Sequence, residues 1–485
     1  MLLADLAIVV LFLFGVALFR SPKRALYGTW VAGFALILAA LSVSVRHDLF
    51  DVEWVLIGIV LGSTTGWWWA ARSDSIKVPA LVAFQNGAGG LASFLISMVE
   101  LVRRPDSGMG VAEISGIIGL VLGAATFSAS LLASARLAGS IGQKPVVWRG
   151  HHLYLIITSL AILGFVIPGV WETGGMRVAC FGAAVGLSIL LGLQFAVRVG
   201  GADMPVLISF LNANSGFAAA FCGLIVDHQL LVATGATVAA SGSILTLAMC
   251  RAMNRSLRHV LWGGSVGSPM AGVESQVVPT PLGNPGNAEA TEAAPALQQT
   301  SEADSWEMAK RACKEATSVI IVPGYGIALA EAHHELASLA RLLEDEGKRV
   351  RFAVHPVAGR MPGHMHVLLA EAEVPYTQLS DMEDINGDFP DTDLVVVAGA
   401  CDVVNPAASQ LEGTPISGMP ILEAHRARKI LVFNLDSRPG YSGVPNLLYE
   451  QPNAILLWGD AKENLQALIN RLTEPDVLSA HDGVN

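Results

Sequence analysis

The first 250 residues contain about nine apolar segments, each close to the ~20 residues that a helix needs to cross a bilayer. Few folds remain open to such a chain, because a backbone in lipid must satisfy its own hydrogen bonds as helices or a closed barrel. A hydrophobic fraction of 52% with only 15% charged residues indicates the membrane class. The predicted spans are residues 2–19, 25–45, 53–71, 78–102, 111–135, 153–170, 178–197, 204–226 and 230–250.

Positive charge is distributed unevenly over the loops between these segments. Loops after odd-numbered segments carry twelve Lys and Arg residues, and loops after even-numbered segments carry four. By the positive-inside rule, the N-terminus lies outside and the chain after the ninth segment lies in the cytoplasm. The net charge of −11 argues against a nucleic-acid partner.

Polar residues inside a membrane bundle are functional candidates by default. Asn86 and Asn212 lie within apolar segments, Asp203 lies at the start of the eighth segment, and His47 lies at the end of the second. We consider these four residues candidates for a functional site in the bundle, with His47 as a candidate proton relay. The alternative for each asparagine is a hydrogen bond that only holds two helices together.

Composition changes sharply after the membrane half. Residues 263–305 are rich in Gly, Pro, Ala and Ser and lack apolar periodicity, which predicts a flexible linker between a membrane domain (1–262) and a soluble domain (306–485). The five cysteines show no metal-ligand or paired spacing and are typical of reduced, packed residues.

The soluble half alternates strand and helix patterns, which predicts an α/β doubly wound parallel sheet of about six strands, similar to a Rossmann fold. Ligands of such sheets bind beyond the carboxyl ends of the strands. The predicted strands are 319–322, 349–354, 376–379, 393–398, 430–434 and 454–458, and the predicted helices are 327–347, 363–373, 418–427 and 461–472.

The first of these strands runs into the turn Gly324-Tyr325-Gly326. A glycine turn between a buried strand and a helix lets the backbone approach a phosphate. The third glycine of the dinucleotide fingerprint is replaced by Leu329, so a plain tight turn is the alternative. We expect Gly326→Val to prevent nucleotide binding and to leave the fold of the soluble half close to normal.

The second strand does not end in the carboxylate that usually holds the adenine ribose. It ends in a loop that begins with His355 and contains Val357, Ala358, Gly359 and Arg360. The ribose contact must come from elsewhere, which suggests a flipped orientation of the nucleotide.

Several motifs resemble the NADP(H)-binding domain and membrane domain of proton-translocating nicotinamide nucleotide transhydrogenase. They are Pro323-Gly324-Tyr325-Gly326, residues 355–365, Asp402 with Asn405-Pro406-Ala407-Ala408, Gly440-Tyr441-Ser442-Gly443, Gly459-Asp460-Ala461-Lys462, Gly200-Gly201-Ala202-Asp203-Met204-Pro205 and Met249-Cys250-Arg251-Ala252-Met253-Asn254-Arg255-Ser256. The resemblance covers nearly the whole chain and implies a β subunit. It also implies a partner α subunit that binds NAD(H), a dimer of αβ units, and a multi-pass position in the cell inner membrane with the soluble domain in the cytoplasm.

The resemblance also implies roles for individual residues. The turn at Gly324 cradles the nucleotide, Arg360 and Asp402 lie near its pyrophosphate and nicotinamide, Tyr441 belongs to a lid loop, and Asn212 and Asp203 serve the proton path and coupling. Hydride passes directly between two nicotinamide rings, so no catalytic residue or metal is required. The predicted cofactor contacts are Gly324, Tyr325, Gly326, His355, Val357, Ala358, Gly359, Arg360, Gly399, Asp402, Asn434, Asp436, Arg438, Gly440, Tyr441, Gly459 and Asp460.

The sequence departs from the family pattern at two places. Many members have a proton-carrying histidine where this chain has Asn86. The Lys-Arg-Ser with which many members hold the NADP 2′-phosphate falls on Asn434-Leu435-Asp436, and Arg438 is the nearest cation.

The predicted function is a transhydrogenase β subunit that couples hydride transfer from NADH to NADP⁺ with proton movement into the cytoplasm. One alternative is a membrane transporter or channel whose dinucleotide-binding domain senses redox state. Another is a membrane-anchored dehydrogenase, which would need a substrate domain that no stretch of the sequence provides.

Overall fold

The computed structural model describes residues 2–18, 22–46, 53–72, 77–104, 110–142, 146, 148–200, 203–253, 256–262, 302–359, 361, 363–412, 414, 416–440 and 442–474. Apart from residues 360–367, the chain divides into two compact units. The helical unit ends at Gly263, and the α/β unit begins at Gly264. Almost all of the predicted linker lies outside the described residues, and its last part begins a helix at Glu302.

Each of the nine predicted segments is helical. Seven helices, α2 and α4 to α9, are long and apolar enough to cross a membrane, whereas the apolar parts of α1 and α3 are shorter. The count of about nine spans is therefore not confirmed beyond seven. The helices are α1 (Leu2–Leu18), α2 (Pro22–Arg46), α3 (Glu53–Ala71), α4 (Val78–Arg103), α5 (Val111–Leu137), α6 (His151–Trp171), α7 (Gly174–Ala196), α8 (Met204–Val226), α9 (Gln229–Ala252) and the short α10 (Leu257–Trp262).

Glycines allow the closest helix pairs to pack backbone against backbone. A Cβ at Gly90 of α4 would lie 2.7 Å from the Gly123 carbonyl oxygen of α5, and a Cβ at Gly123 would lie 2.7 Å from the Gly90 carbonyl oxygen. Between α8 and α9, a Cβ at Gly216 would lie 2.4 Å from the Ala239 nitrogen. Small residues are how helices associate closely in lipid, where no hydrophobic effect drives them together.

Two buried arginines bind the carbonyl ends of neighbouring helices. Arg136 at the end of α5 donates to Val199 O at 2.6 Å and to Val197 O at 3.1 Å, just past the end of α7. Arg177 at the start of α7 donates to Leu101 O at 2.8 Å, near the end of α4. A cation is favourable where unpaired helix carbonyls carry partial negative charge. These contacts fix the ends of three helices.

The α/β unit is a six-stranded sheet in the order β3-β2-β1-β4-β5-β6, with every pair parallel. This is a doubly wound order: successive strands are added on one side of β1 as far as β3, and then on the other side from β4 to β6. The predicted architecture of the soluble half is therefore confirmed. Its elements are α11 (Glu302–Glu315), β1 (Ser318–Pro323), α12 (Tyr325–Leu329), α13 (His333–Asp345), β2 (Arg349–Val354), α14 (His364–Glu371), β3 (Leu379–Asp381), α15 (Met382–Ile385), β4 (Leu394–Ala398), α16 (Ala407–Gln410), β5 (Lys429–Asn434), β6 (Ala454–Trp458) and α17 (Ala461–Thr473).

The centre of the sheet is apolar and fully buried, with Ile320, Val322, Val395 and Val397 at most 1% exposed. At the amino edge, the Asp393 carboxylate accepts hydrogen bonds from Thr317 and Ser318 and pairs with Arg428. The Thr317 and Ser318 bonds hold the pKa of Asp393 well below its usual range. This carboxylate holds the starts of β1 and β4 side by side. It thereby helps to set the position of their carboxyl ends, where ligands of such sheets bind.

Three local predictions are wrong. The predicted helix 327–347 is two helices, α12 and α13, because Glu331 adopts a left-handed φ of 51° between them. In the predicted helix 418–427 only Ala424–Arg426 forms a helical turn, of the 3₁₀ type. The third strand is displaced, since Tyr376–Gln378 is a 3₁₀ turn and β3 begins at Leu379.

Candidate functional site

The candidate site lies where the turn after β1 crosses the turn after β4. Gly324 N–H donates to Ala398 O at 2.7 Å, and Gly326 N–H donates to Gly399 O at 2.8 Å. A Cβ at Gly324 would lie 2.2 Å from Gly399 O, and Gly399 has a φ of +65° that favours glycine. The glycines therefore permit two backbones to touch at the point where strand order reverses, which is where such sheets bind ligands.

The crossing changes the expectation for Gly326. Its N–H is already bonded to Gly399, and a Cβ on Gly326 would lie 2.6 Å from Gly399 Cα. A side chain at 326 thus displaces backbone as well as any ligand, so a near-normal fold is no longer expected. Tyr325 begins α12, which is only five residues long.

A loop after β5 closes against the turn after β4 through Asp402. The Asp402 carboxylate accepts from Ser442 N–H at 3.0 Å and from Ser442 Oγ at 2.6 Å. A Cβ at Gly440 would lie 2.8 Å from that carboxylate, so only glycine fits without a shift. The predicted residues Asp402 and Gly440 are therefore brought together, and Ser442 is the partner that links them.

Two further asparagines hold the same loop and were not predicted as site residues. Asn405 donates to Pro445 O at 3.0 Å, and Asn446 donates to Cys401 O at 3.1 Å. Asn405 was already part of a recognised motif, whereas nothing in the sequence indicated Asn446. Both side chains are at most 4% exposed, and together with Asp402 they make the loop part of the domain's core.

The loop after β2 is organised by His355, which is 1% exposed. Its Nδ1 accepts from Val357 N–H at 3.2 Å, and its Nε2 donates to Pro420 O at 2.9 Å. Burial lowers the pKa of His355 to about 4, so the imidazole is neutral. Ala358 is buried and Gly359 has a φ of +111°. His355 thus shapes the loop, and each of its ring nitrogens makes a hydrogen bond within the domain.

The buried His355 predicts a loss of stability in acid. Unfolding returns its pKa from about 4 to about 6.5, so the unfolded chain binds more protons between these values and stability falls as pH falls. The difference is on the order of 3 kcal/mol between pH 7 and pH 4. We expect the thermal midpoint of the purified chain in detergent to fall in this window, and to fall less in His355→Gln. Equal pH dependence of both proteins would contradict the assignment.

The end of β5 and the turn after it carry Asn434, Asp436 and Arg438, three of the predicted cofactor contacts. The Asn434 side chain is 8% exposed and donates to Ala400 O at 2.8 Å and to Tyr449 Oη at 2.7 Å. Arg438 Nε donates to Asp436 Oδ2 at 2.6 Å, and its side chain is 79% exposed. Asn434 is thus held inside the domain, and the charge of Arg438 is neutralised by Asp436.

Of the remaining predicted site residues, Asp460 and Gly459 have local roles at the start of α17, and three others lie outside the described residues. Asp460 Oδ1 accepts from Lys462 and Glu463 N–H and so caps α17, while Gly459 has a φ of +131° beside Asn464. Arg360, Tyr441 and His47 lie outside the described residues.

In the membrane unit, the polar residues Asn86, Asn212 and Ser215 lie at positions along the contact between α4 and α8, and we call these three residues the polar stripe. Asn86 Nδ2 lies 3.4 Å from Ile208 O, and a Cβ at Gly89 would lie 2.7 Å from Ser215 Oγ. Positions 208, 212 and 215 share one face of α8, because residues four and three apart are neighbours on a helix. The half-buried Asn212 therefore lies between two points at which α8 meets α4. Asp203 precedes α8 at its N-cap, and its side chain makes no cap hydrogen bond.

A doubly wound sheet with glycine turns at its switch point is the architecture of many dinucleotide-binding proteins, and here the chain also has helices that are apolar enough to cross a membrane. The family model for the NAD(P) transhydrogenase beta subunit matches residues 2–471. Two relatives from Rhodospirillum rubrum, both named NAD(P) transhydrogenase subunit beta, are each 36% identical over 470 residues, which is 96% of this chain and 97% of the relative. The chain belongs to the NAD(P) transhydrogenase beta subunit family.

Proposed function

We propose that this chain is the subunit of a proton-translocating transhydrogenase that binds NADP(H) and couples hydride transfer from NADH to NADP⁺ with proton movement into the cytoplasm. The observation that carries the proposal is the contact of the two glycine turns at the β1/β4 switch point, in a chain that belongs to the transhydrogenase beta subunit family.

The dinucleotide occupies the carboxyl edge of the sheet in this proposal. The Gly324 turn and Gly399 provide an approach free of side chains, and the loop held by Asp402 covers the cofactor. Direct hydride transfer needs the two rings positioned and water excluded, and it needs no acid or base from the protein. The loop after β5, which Asp402 holds through Ser442, supplies such positioning.

NADP(H) use depends on a cation for the 2′-phosphate, and Arg438 is the candidate. It bonds to Asp436, and the phosphate must compete with that carboxylate. We expect Arg438→Ala to weaken NADP(H) binding by about tenfold and to spare NAD(H), since one charge-assisted hydrogen bond is lost. Isothermal titration of both nucleotides into the purified full chain measures this.

Asp436→Asn is the matched control for the Arg438 prediction, because it frees the guanidinium without removing it. This variant should bind NADP(H) more tightly than the unmodified chain does. Equal losses for both nucleotides in Arg438→Ala would show that Arg438 does not contact the phosphate. A preference of the unmodified chain for NAD(H) would overturn the cofactor proposal.

We place the nine apolar helices α1 to α9 across the cell inner membrane, with the sheet domain in the cytoplasm. Support comes from the twelve-to-four distribution of Lys and Arg over the loops and from the many exposed large apolar side chains of the helices, such as Trp30, Ile59 and Leu160. Lipid covers part of this surface, and helices of an α subunit cover the rest.

The partner is a transhydrogenase α subunit that binds NAD(H), in a dimer of αβ units. Exposed apolar side chains on loops and helix ends beyond the strand carboxyl ends support docking there: Leu329 is 60%, Leu411 44% and Leu435 68% exposed. Co-purification of the tagged chain with the α subunit tests the partner. Replacement of Leu411 by Glu should weaken hydride transfer between the subunits while nucleotide binding to this chain persists.

A further inference from the structure

A group of potential metal ligands, separate from the candidate site, lies at the start of α13, where two histidines meet the last residue of α14. One ligand atom each from His333, His334 and Glu371 lies within 4.8 Å of the others. The two imidazole centroids are 4.3 Å apart, and His333 Nε2 is 3.7 Å from Glu371 Oε2. The three residues belong to two different helices, and the fold brings them together.

His333 lacks the partners that a buried imidazole normally has. Its side chain is 8% exposed, and neither ring nitrogen has a hydrogen-bond partner within the described part of the chain. The 3.7 Å to Glu371 is too long for a hydrogen bond. Buried polar atoms nearly always have a partner, so the two ring nitrogens of His333 call for an explanation, of which a bound ion is one.

The surroundings of His333 are acidic. Glu371, Glu335 and Glu331 all act on the ring electrostatically. Glu335 Oε2 is itself buried and has no hydrogen-bond partner among the residues that the structure describes, while its Oε1 lies 3.7 Å from Lys462 Nζ. A cation placed between His333 and Glu371 would satisfy the imidazole and would be favoured by the neighbouring negative charge.

We propose that His333, His334 and Glu371 bind one Zn²⁺-like divalent cation, with water in the fourth position. Two imidazoles and one carboxylate suit a tetrahedral site of this kind. His334 and Glu371 are exposed, so they can rotate to bring their ligand atoms to about 2.0–2.2 Å from one ion. The ion would tie the start of α13 to the end of α14. The start of α13 follows closely on α12, and α12 begins in the glycine turn at Gly324, so the proposed ion lies a few residues along the chain from that turn.

The test is a titration of Zn²⁺ into the purified full chain, stripped with EDTA and held in detergent, in competition with a chromogenic chelator. We expect one tight equivalent per chain, X-ray absorption with nitrogen and oxygen ligands at about 2.0–2.1 Å, and a higher melting temperature with the metal. His334→Ala and Glu371→Gln should each weaken binding by at least about tenfold, and His334→Ala should lose the thermal shift.

His425→Ala is the matched control, since it removes a histidine of the same domain outside the cluster, and it should bind Zn²⁺ as the unmodified chain does. Both test positions are exposed, so neither substitution removes a core side chain. The proposal is overturned if no stoichiometric binding occurs, or if His334→Ala and Glu371→Gln bind within twofold of the unmodified chain.

Discussion

Gly326→Val should abolish dinucleotide binding and destabilise the sheet domain. The new Cβ would lie 2.6 Å from Gly399 Cα and 3.0 Å from Gly399 O, and backbone atoms cannot rotate away. The β1 and β4 turns must separate, which breaks the bond from Gly326 N–H to Gly399 O and moves the phosphate approach. Overpacking of this kind costs about 1–3 kcal/mol. Isothermal titration and thermal unfolding of the full chain measure the two effects.

Gly387→Ala provides the control for Gly326→Ala, the smaller version of the same change. A Cβ at Gly387 meets no atom within 4 Å, and its φ is not left-handed. We expect Gly387→Ala to bind nucleotide and unfold like the unmodified chain, and Gly326→Ala to lose both affinity and stability. Normal affinity in a folded Gly326→Val chain would refute the assignment of this turn to the cofactor.

Asn212→Leu should strongly slow proton-coupled hydride transfer while transfer between nucleotides already bound continues. In our proposal Asn212 orders water in the polar stripe between α4 and α8, where Asn86 and Ser215 are its neighbours along the interface. A water left without a partner costs about 1–3 kcal/mol, which corresponds to a roughly fivefold to 150-fold loss of coupled rate. Proteoliposomes that contain the chain and its α subunit allow proton uptake and hydride transfer to be followed together.

Asn214→Leu tests whether the stripe, rather than polarity in general, carries the proton. Asn214 lies on the same helix but two residues away, so it points to another side of α8. Coupled transfer should remain close to that of the unmodified protein in this control. Full proton pumping in Asn212→Leu would show that Asn212 only packs, and equal losses in both variants would remove the stripe as the path.

The sheet could be predicted because its central strands β1, β4 and β5 are buried on both faces and appear as nearly continuous apolar runs. Residues 349–354, 430–434 and 454–458 match β2, β5 and β6 within one residue. The short elements could not be predicted in this way. Residues 418–427 have apolar residues at helical spacing, but Leu422 N–H bonds to Val403 O, so the segment packs as a loop against the turn after β4.

The meeting of the glycine turns could be predicted from the sequence, whereas the hydrogen bonds of the side chains around them could not. Glycine turns after strands are visible in sequence, and Gly324, Gly326 and Gly399 do meet. Whether a polar residue faces a ligand or the protein depends on tertiary contacts, so the internal bonds of His355 and Asn434 could not be foreseen. The cluster of His333, His334 and Glu371 was missed for the same reason, since helix packing brings Glu371 to the histidines.

The central proposal is that hydride transfer through this chain is coupled to proton movement. The most direct measurement is the rate of NADP⁺ reduction by NADH in proteoliposomes that contain the chain and its α subunit, with and without an imposed proton gradient. A gradient directed toward the side of the sheet domain should accelerate the reaction, and a protonophore should abolish the acceleration. A rate that does not respond to the gradient, in vesicles that hold it, would contradict the proposal.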